Sequence, residues 1–153
     1  MARSVKPVSD IAAIRSVITD PWIAAKVRHD HRVSDYIDHP DVSYLGCFDG
    51  DELAGVFMLI RDFIEVQIHA YIRRPWTRYG REWGRAALAH AFACPDVQRV
   101  SALIAEGLES VVNYCRKLGF VYEGFQRQAI QKDGRLVGIH LLGMTREEWH
   151  GHH

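Results

Sequence analysis

The chain has 153 residues, the size of one domain, and its Lys+Arg and Asp+Glu counts are both 19, so overall charge gives no basis for binding nucleic acid or an anionic membrane. Three cysteines, Cys47, Cys94 and Cys115, are an odd number without a CxxC pair, which argues against a disulfide framework or a zinc knuckle and fits a reducing cytoplasm. The opening "MARSVKPVSD" lacks the apolar stretch of a signal peptide, and no segment approaches the ~18 apolar residues of a membrane span, so a cytoplasmic protein with no membrane partner is expected.

In chain order, "SDIAAIRSVIT" has apolar residues at helical spacing behind Ser9 or Asp10 as cap, and "DPWIAAKVRHD" restarts a helix with Asp20 as cap and Pro21 at its first position. "VSYLGCF" and "LAGVFMLI" read as strands joined at Asp49-Gly50, where glycine supplies the positive φ of a tight turn. "FIEVQIHAYI" alternates: Ile64, Val66, Ile68, Ala70 and Ile72 share one face, and Glu65, Gln67, His69 and Tyr71 the other. A helix is predicted from about Gly80 to Ala93, stopped by Cys94-Pro95, then a strand over "VQRVSALIA" and a helix over "LESVVNYCRKL" ending at Gly119. "FVYEGFQRQAIQ", the turn "KDGR" and "LVGIHLLGM" make a last hairpin, whose exposed edge could pair with a second copy as a homodimer. No repeat or linker interrupts this order, which predicts a single α+β domain over residues 1–153 with a mixed, mostly antiparallel sheet flanked by helices.

Ahead of the alanine-rich helix, "TRYGREWGRAALAHAF" gathers Arg78, Arg81 and Arg85 around Gly80 and Gly84. A helix start presents unpaired N–H groups and about half a positive charge, and glycine lets a ligand approach the backbone, so this is either an anion site or an ordinary solvated helix start. Arg81, Gly84 and Ala86 occupy the first, fourth and sixth places of an R/Q-x-x-G-x-G/A pattern.

With the alternating strand before that pattern, and "RKLGFVYEG" and "MTREEW" after it, the sequence resembles the GNAT superfamily of acyl-CoA-dependent N-acetyltransferases over roughly residues 8–149. It looks closest to the branch acting on protein or peptide amines and to phage-encoded relatives. The resemblance implies acetyl-CoA as acyl donor, with Arg81, Trp83, Gly84, Arg85 and Ala86 offering N–H groups or charge to its pyrophosphate. It also implies backbone pairing of Tyr71 and Ile72 with the pantetheine arm, one N–H there facing the developing oxyanion. Glu82 beside a pyrophosphate is unfavourable unless Arg81 or Arg85 offsets it.

Amide formation needs a neutral amine, and an acceptor with pKa ~10.4 is unprotonated about once in 10³ molecules at pH 7, so a base is the first requirement. Glu65 is the first candidate and His69 the second, both on the polar face of the alternating strand; that face is equally consistent with a strand that simply has a wet side. The tyrosine that many relatives place five residues before the "GF" phenylalanine is Cys115 here, with Tyr114 about 100° away on the helix, and Leu108 replaces a common asparagine. Tyr114 or Cys115 would assist the departing thiol, Cys115 being equally readable as a small core thiol. "RHDHR" sets His29 and His31 two apart without a further Cys/His cluster, so no metal is expected; it would form part of an acceptor rim. The function expected is direct transfer of an acetyl group to a primary amine of a small molecule, protein or peptide in a ternary complex. The alternative is a catalytically weak or inactive binding or structural protein of the same shape, phage-associated. A nucleic-acid binder using its arginines is a third, more distant class.

Overall fold

In the computed structural model, which describes residues 2–30, 32 and 34–152, two aspartates start the first helices. Asp10 accepts from the Ala13 amide at 3.1 Å and caps α1 (Ile11–Ile18); Asp20 accepts from the Ile23 amide at 3.3 Å and caps α2 (Pro21–Val27). A carboxylate oxygen suits both places because it satisfies an amide that the first helical turn leaves unpaired. Ahead of them lies a strand absent from the sequence reading. β1 (Arg3–Pro7) is largely exposed, gives almost no apolar alternation, and exists by pairing with β2 (Val42–Asp49).

β2 and β3 (Glu52–Asp62) form the expected hairpin, with Gly50 at φ 61°. The next strand begins later than its alternation suggests: Phe63 turns at φ 52° and is 87% exposed, so β4 runs from Glu65 to Ile72. A 3-10 turn (Trp76–Tyr79) leads into α3 (Gly80–Ala93), followed by β5 (Arg99–Ala105) and α4 (Glu109–Leu118). Gly119 ends α4 at φ 109°, a conformation costly for any residue with a Cβ. β6 (Val121–Lys132) and β7 (Arg135–Thr145) make the last hairpin, and a second unforeseen element, α5 (Arg146–His152), follows.

One seven-stranded sheet results, in the order β1-β2-β3-β4-β5-β7-β6, antiparallel except at β4–β5. This is the mixed α+β layout expected, with helices on both faces. α1 and α2 bury Ile14, Val17, Ile18 and Ile23 against Tyr44, Met58 and Tyr71 on one side. α3 and α4 bury Trp83, Leu88, Val112 and Leu118 against Phe57, Val66 and Val100 on the other. Each such apolar side chain contributes about 1.5–3 kcal/mol through burial, and the alternation of β4 is what sends Val66 and Tyr71 to opposite cores. No helix among the described residues is long and apolar enough to cross a membrane.

The pairing of β4 with β5 places the site. It joins Glu65, Val66 and Gln67 to Arg99, Val100 and Ser101. Beyond that point β4 stays with β3 as far as Ile72, and β5 stays with β7 as far as Ala105. The two strands therefore part, and a wedge opens in the middle of the sheet. At the joined end the Arg99 guanidinium donates to Glu65 at 2.6 Å and to both oxygens of Glu123 at 2.6 and 3.1 Å, tying β4, β5 and β6 together.

The far end of α3 is held by α5. Arg146 donates to the carbonyls of Phe92 (2.9 Å), Cys94 (2.7 Å) and Val97 (2.8 Å), which the helix end and its turn would otherwise leave to water. Charged donors to such acceptors are worth about 1.5–3 kcal/mol each way they are counted, so Arg146→Ala should lower the unfolding free energy by ~1–3 kcal/mol in urea titration, and Arg146→Lys should recover part of it.

Candidate active site

A cavity of about 870 Å³ fills the wedge and is lined from both faces of the sheet. On the α3–α4 side its wall comprises Ile68, Ala70 and Ile72 of β4 with Thr77, Gly80 and Gly84. Ala102 and Ile104 of β5 and Val111 and Tyr114 of α4 complete that side. On the α1–α2 side stand Gln67, His69 and Tyr71 with Trp22, Lys26 and Ile37. Because neither strand has a partner across the gap, the facing backbone groups of residues 68–72 and 102–105 are outside any ladder between them.

Helix α3 aims its start at this cavity, but one turn earlier than the sequence pattern implied. Counting from Gly80, α-helical bonding leaves over the amides of the first turn; Gly80 itself donates to Thr77 through the 3-10 turn, so Arg81 and Glu82 carry the remaining ones. The amide of Gly84 falls within the helical ladder, which corrects the expectation that it lies bare to a diphosphate. Gly84 instead admits α4: a Cβ there would stand 2.5 Å from the Tyr114 hydroxyl and 2.8 Å from Leu118 Cδ1. Trp83 is likewise no ligand-facing group. It is 1% exposed in the core, with an indole N–H that has no partner among the described residues. Arg81 and Arg85 are exposed on α3 and Ala86 is half-buried. Glu82 is offset, though by neither Arg81 nor Arg85: Arg3 of β1 binds both its oxygens at 2.9 and 3.0 Å, and this hydrogen-bonded partner holds the carboxyl below its usual range.

Tyr114 donates its hydroxyl to the Gly80 carbonyl at 2.7 Å, fixing the first turn of α3 against α4. Burial raises its pKa, so the phenol keeps its proton. Cys115 packs with Val112 and Leu118 as a buried thiol at the edge of the cavity, its pKa pushed up to about 12 by desolvation, so it keeps its proton at neutral pH. Tyr71 is also buried, with its phenol pushed up to about 12 by burial, and Ile72 closes the paired length of β4.

The structure separates the two candidate bases. Glu65 sits at the joined end of β4, bonded to Arg99, and is absent from the cavity wall. The register that pairs it with Arg99 therefore places the first candidate for the base outside the cavity. His69, four residues on, faces the cavity; its Nε2 lies 2.8 Å from Gln67 Oε1. Burial, and secondarily the charge of Arg32, push its pKa down to about 4, so the ring is neutral at pH 7.

The segment after α2 forms the outer wall on this side, contributing His29, Arg32, Ser34 and Asp35. It is pinned to the distant β6–β7 turn: Asp30 accepts from the amides of Asp133 (2.9 Å) and Gly134 (2.7 Å), Arg28 pairs with Asp133 at 2.8 Å, and Lys132 donates to the Lys26 carbonyl at 2.8 Å. Nothing in the sequence signals this union of residues about a hundred apart. His31 lies outside the described residues, and among the described residues no cluster of His, Cys, Asp or Glu could hold a metal ion.

No family model matches the chain. Its shape is similar to that of spermidine N-acetyltransferase from Vibrio cholerae in complex with CoA and spermine (TM-score 0.80, 14% identity, covering 96% of this chain and 97% of that one). It is also similar to a probable GNAT-family acetyltransferase from Chromobacterium violaceum (TM-score 0.76, 19% identity, 98% and 86% covered). A dodecameric form of the Vibrio cholerae enzyme aligns as well, with a TM-score of 0.77 at 13% identity and 96% and 95% covered.

The burial of His69 has a consequence for stability. Its folded pKa of about 4 lies below the unfolded value near 6.5, so between those pH values the unfolded chain binds the extra proton and stability falls as pH drops. Comparing wild type with His69→Gln by urea titration from pH 7 to pH 4 should show a steeper loss in the wild type, the difference in slope reaching at most about 1.4 kcal/mol per pH unit.

Proposed function

We propose, from the premise that this chain has the GNAT fold, that it is an acetyl-CoA-dependent N-acetyltransferase that moves an acetyl group onto a primary amine. The observation that carries this reading is the wedge between β4 and β5, whose two unpaired strand edges face a cavity reaching both sides of the sheet. A pantetheine arm, with its own amides, suits those edges as an added strand would. Its pyrophosphate suits the first-turn amides of α3 near Arg81 and Arg85, where the helix dipole favours an anion. The volume lies within the range of cofactor sites.

When bound, acetyl-CoA supplies an acetyl thioester whose C–S bond breaks as the C–N bond to the acceptor forms. His69 takes the proton that the amine nitrogen sheds once its bond to the acyl carbon has made it strongly acidic; the neutral ring keeps a nitrogen able to accept, and Gln67 fixes its orientation. Backbone N–H groups on the open edge of β4, near Tyr71 and Ile72, are the donors in reach of charge growing on the acyl oxygen. Tyr114 positions the first turn of α3 through Gly80. No acid is required on the thiol, whose pKa near ~8.5 lets it leave as the anion. Glu82 beside the anion and Cys115 where many relatives have tyrosine would favour a binding protein without chemistry; Arg3 neutralises the first, and the leaving group's acidity relieves the second.

Acetyl-CoA at 100 times its Kd should stabilise the protein by ~2.7 kcal/mol, which for a domain of this size is a melting shift of roughly 5–10 °C. Absence of any shift at millimolar cofactor would remove the reading. Gly84→Val, which drives a side chain into Tyr114 and Leu118, should cost ~1–3 kcal/mol and weaken the shift. In steady-state acetyl transfer, His69→Gln should lower kcat by about 10²–10⁴-fold while Glu65→Gln leaves it within about threefold; the reverse pattern would return the base to Glu65.

A further inference from the structure

Among the described residues, the acceptor half of the cavity carries two cations, Lys26 and Arg32, against one carboxylate, Asp35, and His29 and His69 line it as well. Asp35 is already engaged: its Oδ1 accepts from Arg15 Nε at 2.9 Å and from the Tyr36 amide at 2.6 Å, and those two bonds hold its pKa low. Asp30, the other acid of this segment, turns its oxygens to the amides of Asp133 and Gly134.

The cations are placed differently. The Lys26 ammonium lies 3.9 Å over the Trp22 ring, whose indole also carries Arg74 at 4.7 Å. Arg32 has no carboxylate partner among the described residues, and its charge is felt at both His29 and His69. A polyamine would bring two or more positive charges into a chamber that offers them no free carboxylate, and like charges in a partly desolvated site are strongly disfavoured. An unpaired guanidinium beside the base has the opposite preference, for a carboxylate or phosphate that it can grip with two parallel bonds.

Resting on the acetyltransferase reading above, we infer that the acceptor is an anionic amine: a small molecule carrying a carboxylate or phosphate that Arg32 and Lys26 hold while its amine is presented to His69. This sets the chain apart from the polyamine enzymes it resembles in shape, because among the described residues the one carboxylate on the wall, Asp35, is already bonded to Arg15. Selectivity follows from charge placement on the α2 segment, which the β6–β7 turn holds in position through Asp30, Arg28 and Lys132.

The test is a panel of ω-amino carboxylates of two to six carbons, the matching aminoalkyl phosphates, and diamines of equal length together with spermidine, each assayed with acetyl-CoA and each titrated calorimetrically into the protein saturated with CoA. One of the anionic series should bind and be acetylated with kcat/KM at least tenfold above the matched diamine, and comparing the two anionic series identifies which anion is read. Arg32→Glu should reverse the order, lowering kcat/KM for the anionic amine at least tenfold and raising it for the diamine; Lys26→Glu should act in the same direction. A diamine or spermidine preferred by the wild type in both measurements would overturn this inference and leave acetyl transfer standing. Failure to acetylate or bind any amine, despite a melting shift with acetyl-CoA, would overturn both.

Discussion

Two neighbouring strands that stop pairing after three residues impose the constraint on which the rest of the structure depends. A sheet interior is ordinarily a place where every N–H and C=O is matched, and an interruption there leaves polar backbone facing a void. The fold confines that cost to a short stretch. On the joined side Arg99 binds Glu65 and Glu123, so β4, β5 and β6 are locked before the wedge begins. On their outer sides β3 and β7 keep the parted strands straight and fully paired. What remains is a slot whose two edges are unpaired with each other.

The helices convert the slot into a site with two distinct ends. α3 and α4 meet at Gly80 and Gly84, where the absence of side chains lets Tyr114 come close enough to bond the Gly80 carbonyl. That contact fixes the first turn of α3 against α4, so the proposed anion end depends on helix–helix packing as well as on the arginines. The opposite end is built by the segment after α2, fastened to a hairpin turn a hundred residues away. Between them stands His69, the base of the proposed reaction, whose pKa is lowered to about 4 by desolvation. The cavity is thus open to residues of both faces of one sheet, as the proposed ternary complex with direct attack requires.

How far the sequence reveals this depends on the range of the interactions involved. Asp10, Asp20, Gly50 and Gly119 announce their elements because caps and turns are local chemistry, and the order of helices and strands follows from them. β1 and α5 escape notice because one is a polar edge strand formed only against β2, and the other is a short polar helix fastened by Arg146 to carbonyls near the end of α3. The alternation of β4 correctly puts Glu65 and His69 on one face. Choosing between them needs the β4–β5 register, a long-range quantity that no local pattern contains. Gly84 teaches a related lesson: its place in a glycine pattern is legible, but a shift of one helical turn changes its role from cradling a ligand to admitting a neighbouring helix. Glu82, troubling in the sequence, is quieted by Arg3, seventy-nine residues away.

In the proposed acetyltransferase the open edges of β4 and β5 receive the donor's arm. Amide hydrogen exchange, followed residue by residue with and without acetyl-CoA, measures that directly. Slowed exchange concentrated at residues 68–72, 102–105 and the first turn of α3 is the expected result, while the joined stretch Glu65–Gln67 stays unchanged. Exchange at the open edges that is indifferent to saturating cofactor, or protection located on another surface, would contradict it.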